Sequence, residues 1–319
     1  MKQPPPPPID HLLLSTSTDP YANLALEEYL LSLRDTSGLL LLWRGERSVV
    51  LGRNQNVWQE CQVPWCERQG ISIARRCSGG GSVFHDLGNL NLTVILPSQS
   101  FHDAPGHELI VPVLRAFGLA PILGPRYTLL LGHRKFSGSA FRVTRDRCLH
   151  HLTVLVATEL PLLQKALNAF PPFSRGSCVS SVPSPLLNVS EMVPGLTPEM
   201  LVEAIIEHCG IPSESVDPHT LEDPGFRELF RLRRQWDWCF GASPPGRLRY
   251  RLDDGLTELE LELRGGRVVR FTLTSHLLTD SFEPRGCRFR SEELLPLVVE
   301  RSLPSVLHKT LVEILDRVC

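Results

Sequence analysis

Apolar residues recur at helical spacing near the start of the chain and form short unbroken runs further along. The helical pattern begins after Thr18-Asp19-Pro20, where a capping side chain precedes a proline. Its apolar positions share one helical face and are Leu26, Tyr29, Leu30 and Leu33. Apolar runs that end at glycine or polar residues are typical of buried strands. We predict four such strands, at 39–43, 48–52, 90–96 and 151–157.

Further helices are predicted in the second half of the chain. Thr197-Pro198 opens a pattern whose apolar positions again share one face, and a short charged helix is expected around 228–234. The stretch from Ser291 onward also predicts helices.

A hairpin is predicted between these helical regions. Leu259, Leu261 and Leu263 alternate with glutamates, and Gly265-Gly266 provides the turn. The returning strand alternates at Val269, Phe271 and Leu273. The pattern indicates a two-stranded unit with one buried face and one solvated face.

Length and composition indicate two units of α/β or α+β type, the first much larger. A chain of 319 residues suggests about two domains. The proline-rich residues 1–8 are expected to be disordered, because a proline run is extended and buries nothing. We place a first domain at 9–235 and a second at 236–319.

Charge and cysteine usage exclude several classes of protein. With 33 Lys and Arg against 35 Asp and Glu, the net charge of −2 argues against general binding of nucleic acid. No apolar run approaches the ~18 residues of a membrane-spanning helix. Nine cysteines, an odd number without any C-x-x-C spacing, favour a reducing compartment over a disulfide or zinc scaffold.

The most unusual segment is ARRCSGGGSVFHDLGNLNLT, residues 74–93. Three consecutive glycines cost backbone entropy and pack nothing, but they let backbone N–H groups approach an anion. Arg75 and Arg76 add cationic donors suited to phosphate. Further polar groups close to this loop are His85, Asp86 and Asn89. The spacing matches neither a P-loop nor a dinucleotide fingerprint, so we predict an anion site of another kind.

A second small-residue segment, GHRKFSGSAFR at 132–142, contains the candidate catalytic residue Lys135. Beside an anion-binding loop, a lysine can hold a phosphate or polarise a carbonyl during acyl transfer. Adjacent strand residues such as His150 and His151 point to opposite faces, so a shared metal ion is not expected. Ser78 shows no evident base, and Trp236, Trp238 and Phe240 fit packing between domains. The residues therefore predict an anion pocket with a lysine and no protein nucleophile.

The two segments resemble a known family. RRCSGGGSVFHDLGNLNLT is similar to a motif of lipoate–protein ligases and lipoyltransferases, and RKFSGSAFR resembles their lysine motif. The likeness extends through four further blocks, at 19–30, 51–61, 149–160 and 236–244. It implies an α+β fold: a biotin/lipoate-ligase-like catalytic domain of mixed sheet and helices, with a small C-terminal α/β accessory domain.

The resemblance also implies the roles of individual residues. Lys135 would bridge the phosphate and the lipoyl carbonyl of a lipoyl-adenylate, and no metal ligand is implied. The other implied lipoyl-adenylate contacts are Arg76, Gly81, Ser82, Val83, Phe84, Arg126 and Thr153. The implied supporting residues are Ser78, Gly79, Gly80, His85, Asp86, Asn89, Ser137 and Gly138.

One departure from the family pattern bears on the reaction. Ligases usually carry Asn-Asp or a similar acidic residue before the apolar run that precedes the lysine, and this chain has Tyr127-Thr128. Segment 175–188 resembles animal lipoyltransferases more than bacterial ligases. The resemblance thus favours a lipoyltransferase that accepts lipoyl-AMP or a lipoylated carrier. ATP and Mg²⁺ would serve only a complete ligase, and a non-catalytic lipoate-binding protein is the third alternative.

Partners and location follow mainly from the resemblance. It implies a monomer, acceptor lipoyl domains of 2-oxoacid dehydrogenase E2 subunits, and the glycine cleavage H protein as a carrier, whereas the net charge and the apolar runs argue against nucleic acid and membrane as partners. It also implies the mitochondrial matrix, although no presequence is visible in this chain.

Overall fold

A computed structural model describes residues 7–34, 37–100, 104–167, 173–174, 179–251, 256–275, 279–284, 286–301, 311–312 and 315. Most of the proline-rich segment 1–8 lies outside the described residues, as do Cys178, Cys319 and the first part of segment 175–188. Within the described part, no helix is both long and apolar enough to cross a membrane.

Strands and helices occur in a mixed order that is typical of an α+β protein. The strands are β1 His11–Ser15, β2 Leu39–Trp43, β3 Ser48–Leu51, β4 Ser72–Arg75, β5 Val83–His85, β6 Asn89–Pro97, β7 Ile122–Gly124, β8 Thr128–Leu131, β9 Arg134–Ser137, β10 Ser139–Val143, β11 Arg147–Leu155, β12 Phe173–Ser174, β13 Ser213–Val216, β14 Gly246–Arg251, β15 Glu258–Arg264, β16 Arg267–Thr274 and β17 Thr279–Phe282. The helices are α1 Pro20–Ser32, α2 Val57–Glu60, α3 Val63–Arg68, α4 Pro105–Ala116, α5 Leu160–Ala166, α6 Pro198–Cys209, α7 Pro224–Arg233 and α8 Ser291–Val299.

The central element is a six-stranded mixed sheet in the order β10-β11-β6-β2-β1-β13. Strand β2 is apolar throughout because helices cover both faces of the sheet at this strand. Leu40 and Leu42 pack toward α4 and α6, whereas Leu41 and Trp43 pack toward α1 and α7. Alternate strand residues point to opposite faces, so an unbroken apolar run suits a strand buried on both sides.

Two three-stranded sheets flank the central sheet and supply the loops of the site. One has the order β4-β3-β5, with β3 and β4 parallel and β3 and β5 antiparallel. The other is an antiparallel sheet in the order β7-β8-β9. The first carries the glycine-rich segment between β4 and β5, and the second carries Lys135 on β9.

An antiparallel five-stranded sheet, β12-β14-β15-β16-β17, dominates the C-terminal part. Its hairpin confirms the predicted turn at Gly265-Gly266, but one predicted core position is wrong. Val268 is fully buried and Val269 is only half-buried, because a bulge beside Glu262/Leu263 shifts the register. The short strand β12 joins this sheet from residues 173–174, ahead of the predicted boundary at 235/236, and the domain boundary remains a prediction.

The observed elements confirm the predicted α+β class. The predicted helix start at Asp19 is correct, since its side chain accepts hydrogen bonds from the amides of Tyr21 and Ala22. The described cysteines are free thiols, namely Cys61, Cys66, Cys77, Cys148, Cys209, Cys239 and Cys287.

Candidate functional site

A cavity of about 1030 Å³ opens between the central sheet and the two small sheets. It brings together predicted residues from four separate parts of the chain. The predicted site residues that line it are Arg76, Gly80, Gly81, Ser82, Val83, His85, Arg126, Lys135, Gly138 and Thr153.

A second cavity of about 420 Å³ lies next to the first and is mainly apolar. Phe84 and Ser137 line this one, and Lys135 lines both. The Thr153 hydroxyl, in the wall of both, accepts a 3.2 Å hydrogen bond from the Gly138 amide.

Four predicted residues, Ser78, Gly79, Asp86 and Asn89, line neither cavity. The Asp86 carboxylate accepts hydrogen bonds from the amides of Gly88 and Glu159, which fixes the turn before β6. Asn89 donates to the Asn91 side chain inside the central sheet. Asp86 and Asn89 therefore support the local fold.

Arg76 organises the glycine loop, which we define as residues 77–82. Its guanidinium donates to the carbonyls of Gly79 at 2.6 Å, Gly81 at 2.7 Å and Val50 at 3.1 Å. Gly80 has φ of +85°, a left-handed conformation that glycine adopts without strain. Arg76 thus fixes the conformation of the glycine loop, and most of its guanidinium N–H groups donate to protein carbonyls.

Arg75 does not supply a phosphate ligand, so this expectation from the sequence is wrong. Its side chain is 1% exposed, and its donors point at backbone carbonyls, among them Gly52 at 3.0 Å, Gln55 at 2.7 Å and Cys239 at 2.9 Å. The Trp238 indole in turn donates to the Arg75 carbonyl at 2.7 Å. Arg75 therefore ties the strand before the glycine loop to the π-helical turn at Asp237–Gly241.

Lys135 lies where the two cavities meet, and the absence of a side chain on Gly138 provides space for its ammonium group. A Cβ placed on Gly138 would stand 3.2 Å from Lys135 Nζ. Burial, with Arg126 and Arg76 nearby, lowers the pKa of Lys135. Among the described residues, none hydrogen-bonds this ammonium group. A lysine held among other cations favours an anionic ligand.

Arg126 reaches the cavity from a strained turn between β7 and β8. Arg126 and Tyr127 both adopt positive φ, 55° and 57°, which is unfavourable for residues other than glycine. The Tyr127 ring contacts Phe141 with centroids 5.0 Å apart, in an edge-to-face arrangement that holds the turn. Backbone strain of this kind clusters at active sites and ligand clamps, so Arg126 remains a candidate ligand contact.

Cavity carboxylates are scarce. Thr128 lines the cavity at the position where ligases usually have an acidic residue, and it donates to the Pro125 carbonyl. Glu27 is the carboxylate among the described lining residues, and it is already paired. Across the described ranges, no three His, Cys, Asp or Glu side chains gather as metal ligands. Among the described residues that line the cavity, no carboxylate is therefore free of a partner.

Sequence reasoning missed two residues, Glu27 and His151. His151 Nδ1 lies 3.0 Å from Glu27 Oε2, and His151 Nε2 lies 2.7 Å from Ser78 Oγ. Ser78 thus has an imidazole partner, contrary to the sequence-based interpretation. The adjacent His150 points to the other face, as predicted, where its Nδ1 accepts from the Gly106 amide. The paired histidines were visible in the sequence, but the partner on α1 lies 124 residues away.

Glu27 is a fully buried carboxylate held in its ionised form. Burial alone would raise its pKa, but His151 and hydrogen bonds from Thr93 and Trp43 lower the pKa below its ordinary value. Burial lowers the pKa of the neighbouring His85 to about 3, so that this imidazole is neutral.

Residues 179–185, which we call the covering segment, lie over the glycine loop. The Ser181 hydroxyl accepts from the Ser82 amide at 2.8 Å and donates to the Glu60 carboxylate. Gln55 Nε2 also donates to the carbonyl of Val179 at 3.3 Å. The end of the segment is also bonded to β9, where the Lys135 amide donates to the Pro185 carbonyl at 2.8 Å. The Ser82 amide of the glycine loop therefore has a partner within the protein.

The mixed sheet and the cavity lined by cationic side chains form an α+β protein with a candidate site for an anionic ligand. The model of the lipoyl protein ligase A/B catalytic domain matches residues 19–210. The chain belongs to this family.

Solved structures with the same fold are lipoate ligases. LipL1 of P. falciparum, solved with lipoate, is 24% identical, with a TM-score of 0.65 over 95% of this chain and 99% of that one. A bipartite lipoate protein ligase of Thermoplasma acidophilum, described with its E2 lipoyl domain, is 24% identical, and the match has a TM-score of 0.59 and covers 74% of this chain and 98% of that one. Lipoate-protein ligase A bound with ATP is 24% identical, with a TM-score of 0.58 over 73% and 99%. At this identity the likeness shows the fold.

Proposed function

We propose that the protein transfers a lipoyl group from lipoyl-AMP to the lysine amine of an acceptor lipoyl domain. The observation that carries this proposal is the position of Lys135, which lines both cavities and has an ammonium group that no described residue hydrogen-bonds. An acyl-adenylate has two large parts joined at a mixed anhydride. Two cavities that meet at a cation suit such a molecule.

Each cavity has the lining that its part of the ligand requires. The smaller one is walled by Phe84, Phe136 and Leu155, which suits a flat purine. The larger one offers Leu24 and Val50 to an acyl chain. The phosphate would then lie at the junction, near the cations of Lys135 and Arg126.

The reaction needs an external amine and a stable leaving group. The acceptor amine attacks the lipoyl carbonyl carbon, and a C–N amide bond forms. The bond from that carbon to the phosphate oxygen breaks, and AMP leaves with the electron pair while the nitrogen loses a proton to solvent. Charge that develops on the carbonyl and phosphate oxygens is stabilised by Lys135, which forms no covalent bond.

The carboxylate arrangement supports a transferase over a complete ligase. Thr128 provides a neutral hydroxyl, and Glu27 is committed to His151, Thr93 and Trp43. A complete ATP-dependent lipoate–protein ligase is the second candidate, and ATP bound to lipoate-protein ligase A favours it. A non-catalytic lipoate-binding protein is the third candidate, but a protein that only binds lipoate has little need for Lys135.

Donor, acceptor and location extend this proposal. The acceptor would be the lipoyl domain of a 2-oxoacid dehydrogenase E2 subunit, and the T. acidophilum ligase was described with an E2 lipoyl domain. A lipoylated glycine cleavage H protein would be an alternative donor, which requires exchange of one amide for another. The mitochondrial matrix is the proposed location, and fractionation of cells expressing the tagged protein tests it.

Intact-mass analysis of an apo lipoyl domain tests the reaction. Parallel incubations contain lipoyl-AMP, lipoylated H protein, or lipoate with ATP and Mg²⁺. A lipoyl mass gain with the activated or protein-bound donor alone is the result expected of a transferase. A gain with free lipoate and ATP would make the protein a complete ligase, and no gain with any donor would overturn the proposal.

A matched pair of lysine variants separates catalysis from folding. Lys135→Ala should reduce transfer from lipoyl-AMP roughly 100-fold or more, the scale of removing one transition-state donor. Lys165 lies on α5 with its ammonium 4.9 Å from the centre of the Trp65 ring. Lys165→Ala should therefore transfer at the wild-type rate. Near-wild-type transfer by Lys135→Ala would refute the assignment.

A further inference from the structure

Hydrogen bonds run without a break from the cavity wall to the glycine loop. The Glu27 carboxylate lies 3.0 Å from His151 Nδ1, and His151 Nε2 lies 2.7 Å from Ser78 Oγ. The same Ser78 oxygen accepts from Arg76 Nε at 3.0 Å. Arg76 then donates to the carbonyls of Gly79 and Gly81.

Glu27 and Arg76 fix the hydrogen bonds at the two ends of this network, and the direction of the Ser78–His151 hydrogen bond depends on the protonation of His151. An ionised carboxylate can only accept, so His151 must carry a hydrogen on Nδ1. Arg76 can only donate, so Ser78 accepts from it and can give its own hydrogen to His151 Nε2. With a neutral His151 that carries its hydrogen on Nδ1, the hydrogen bonds among Glu27, His151, Ser78 and Arg76 can all form at once.

Ser78, His151 and Glu27 have the order of a nucleophilic triad, but the serine is not placed to attack a substrate. Ser78 is 0% exposed and lines neither cavity, and its oxygen is already bonded to two neighbours. A nucleophile must reach the reacting carbon. The arrangement instead acts on Arg76, which shapes the loop.

We infer that Ser78, His151 and Glu27 are positioning residues that orient Arg76, and through it the carbonyls and amides of the glycine loop. This inference rests on the proposed function, because the loop is taken to hold the phosphate of lipoyl-AMP. A loop set by this network presents its amides and the remaining Arg76 donor to the ligand. Preorganised donors avoid an ordering cost when the anion binds.

The first test removes the oxygen at the centre of the network. Ser78→Ala should raise the KM for lipoyl-AMP about 10-fold to 100-fold, the range for a lost hydrogen bond to a charged group. The kcat and the KM for the acceptor domain should change little. Ser48→Ala is the matched control, because Ser48 is also buried and donates to a local carbonyl, that of Glu46.

The second test reverses the direction of the network without changing its size. Trp43 and Thr93 both donate to one oxygen of Glu27, so in Glu27→Gln the amide oxygen must face them and the NH₂ group must face His151. The His151 hydrogen then moves to Nε2 and is donated to Ser78, so that the Ser78 hydroxyl hydrogen loses its acceptor. The KM for lipoyl-AMP should rise, and the effect should be much smaller in the Ser78→Ala background.

Nitrogen-15 NMR of histidine-labelled protein reports the tautomer of His151 directly, without any measurement of lipoyl transfer. In spectra of the neutral imidazole, His151 should carry hydrogen on Nδ1 in the wild type and on Nε2 in Glu27→Gln. Thermal unfolding of each variant verifies that it is folded.

The outcomes separate this inference from the proposed function. A raised KM in Ser78→Ala but not in Ser48→Ala, with non-additive Glu27→Gln and the tautomer change, supports the network. An unchanged KM in Ser78→Ala, additive effects, or the same His151 tautomer in both proteins would overturn it. A wild type that transfers nothing from lipoyl-AMP refutes the proposed function, and the tautomer measurement still decides whether the network exists.

Discussion

The Ser82 amide donates a 2.8 Å hydrogen bond to the Ser181 hydroxyl, so an internal group occupies a donor of the glycine loop. Ser181 also donates to the Glu60 carboxylate, which brings negative charge close to the place proposed for a phosphate. An anionic ligand that takes the Ser82 amide must displace this hydroxyl. The covering segment and the ligand therefore compete for the same donor.

Ser181→Ala should tighten the binding of lipoyl-AMP about twofold to tenfold. The substitution removes a competing hydrogen bond whose net worth is about 0.5–1.5 kcal/mol. Isothermal titration measures the dissociation constant. Ser32→Ala on α1 is the comparison, because Ser32 lines neither cavity and its hydroxyl donates to the Tyr29 carbonyl. Equal affinities in both variants would show that Ser181 does not compete.

Gly138→Ala should lower the transfer rate from lipoyl-AMP about tenfold or more, because a misplaced catalytic group is costly. The new Cβ would lie 3.2 Å from Lys135 Nζ and 3.3 Å from its Cε, so the end of the lysine side chain must shift by a few tenths of an ångström at the junction of the cavities. Gly138 does not have a positive φ, so alanine fits the backbone.

Gly45→Ala is the control for this prediction. Its added Cβ would make ordinary contacts of 3.4 Å or longer, with Trp43 and His85. Steady-state transfer and thermal unfolding are measured for both variants. A Gly138→Ala enzyme as fast as the control would show that Lys135 tolerates displacement.

Binding of lipoyl-AMP at mildly alkaline pH should be accompanied by proton uptake. Burial, Arg126 and Arg76 lower the pKa of Lys135, so more of this amine is neutral in the free protein than in an ordinary lysine. A nearby phosphate favours the charged form and raises the pKa again. Titrations in two buffers with different ionisation enthalpies measure the uptake, which should be lost in Lys135→Met. Equal uptake in that variant would assign the proton to another group.

Local patterns in the sequence predicted part of the fold, since such elements depend on neighbouring residues, but α4 and the β7-β8-β9 sheet were not predicted. The Asp19 cap and the alternation in β15 are examples. The site was predicted only in part, because its partners are distant in the chain. Neither the use of Arg75 to bind the π-helical turn nor the pairing of His151 with Glu27 has a local signal. The misplaced Val269 has a similar origin, since a bulge depends on the opposite strand.

Acid should destabilise the protein through His85, a buried histidine on β5. Burial lowers its pKa to about 3, whereas an unfolded histidine has a pKa near 6.5, so the unfolded state binds more protons between these values. The stabilising contribution is complete above about pH 6.5 and falls by up to roughly 1.4 kcal/mol per pH unit as the pH decreases toward about 3.

Denaturant unfolding of the wild type and His85→Gln between about pH 7 and pH 4 measures this contribution. Other buried histidines add to the total acid sensitivity, notably His107, whose pKa burial lowers to about 4. The informative quantity is therefore the difference between the two proteins, which should shrink as the pH falls because glutamine does not titrate. A difference that stays constant over this range would mean that His85 takes up its proton in the folded state at an ordinary pKa.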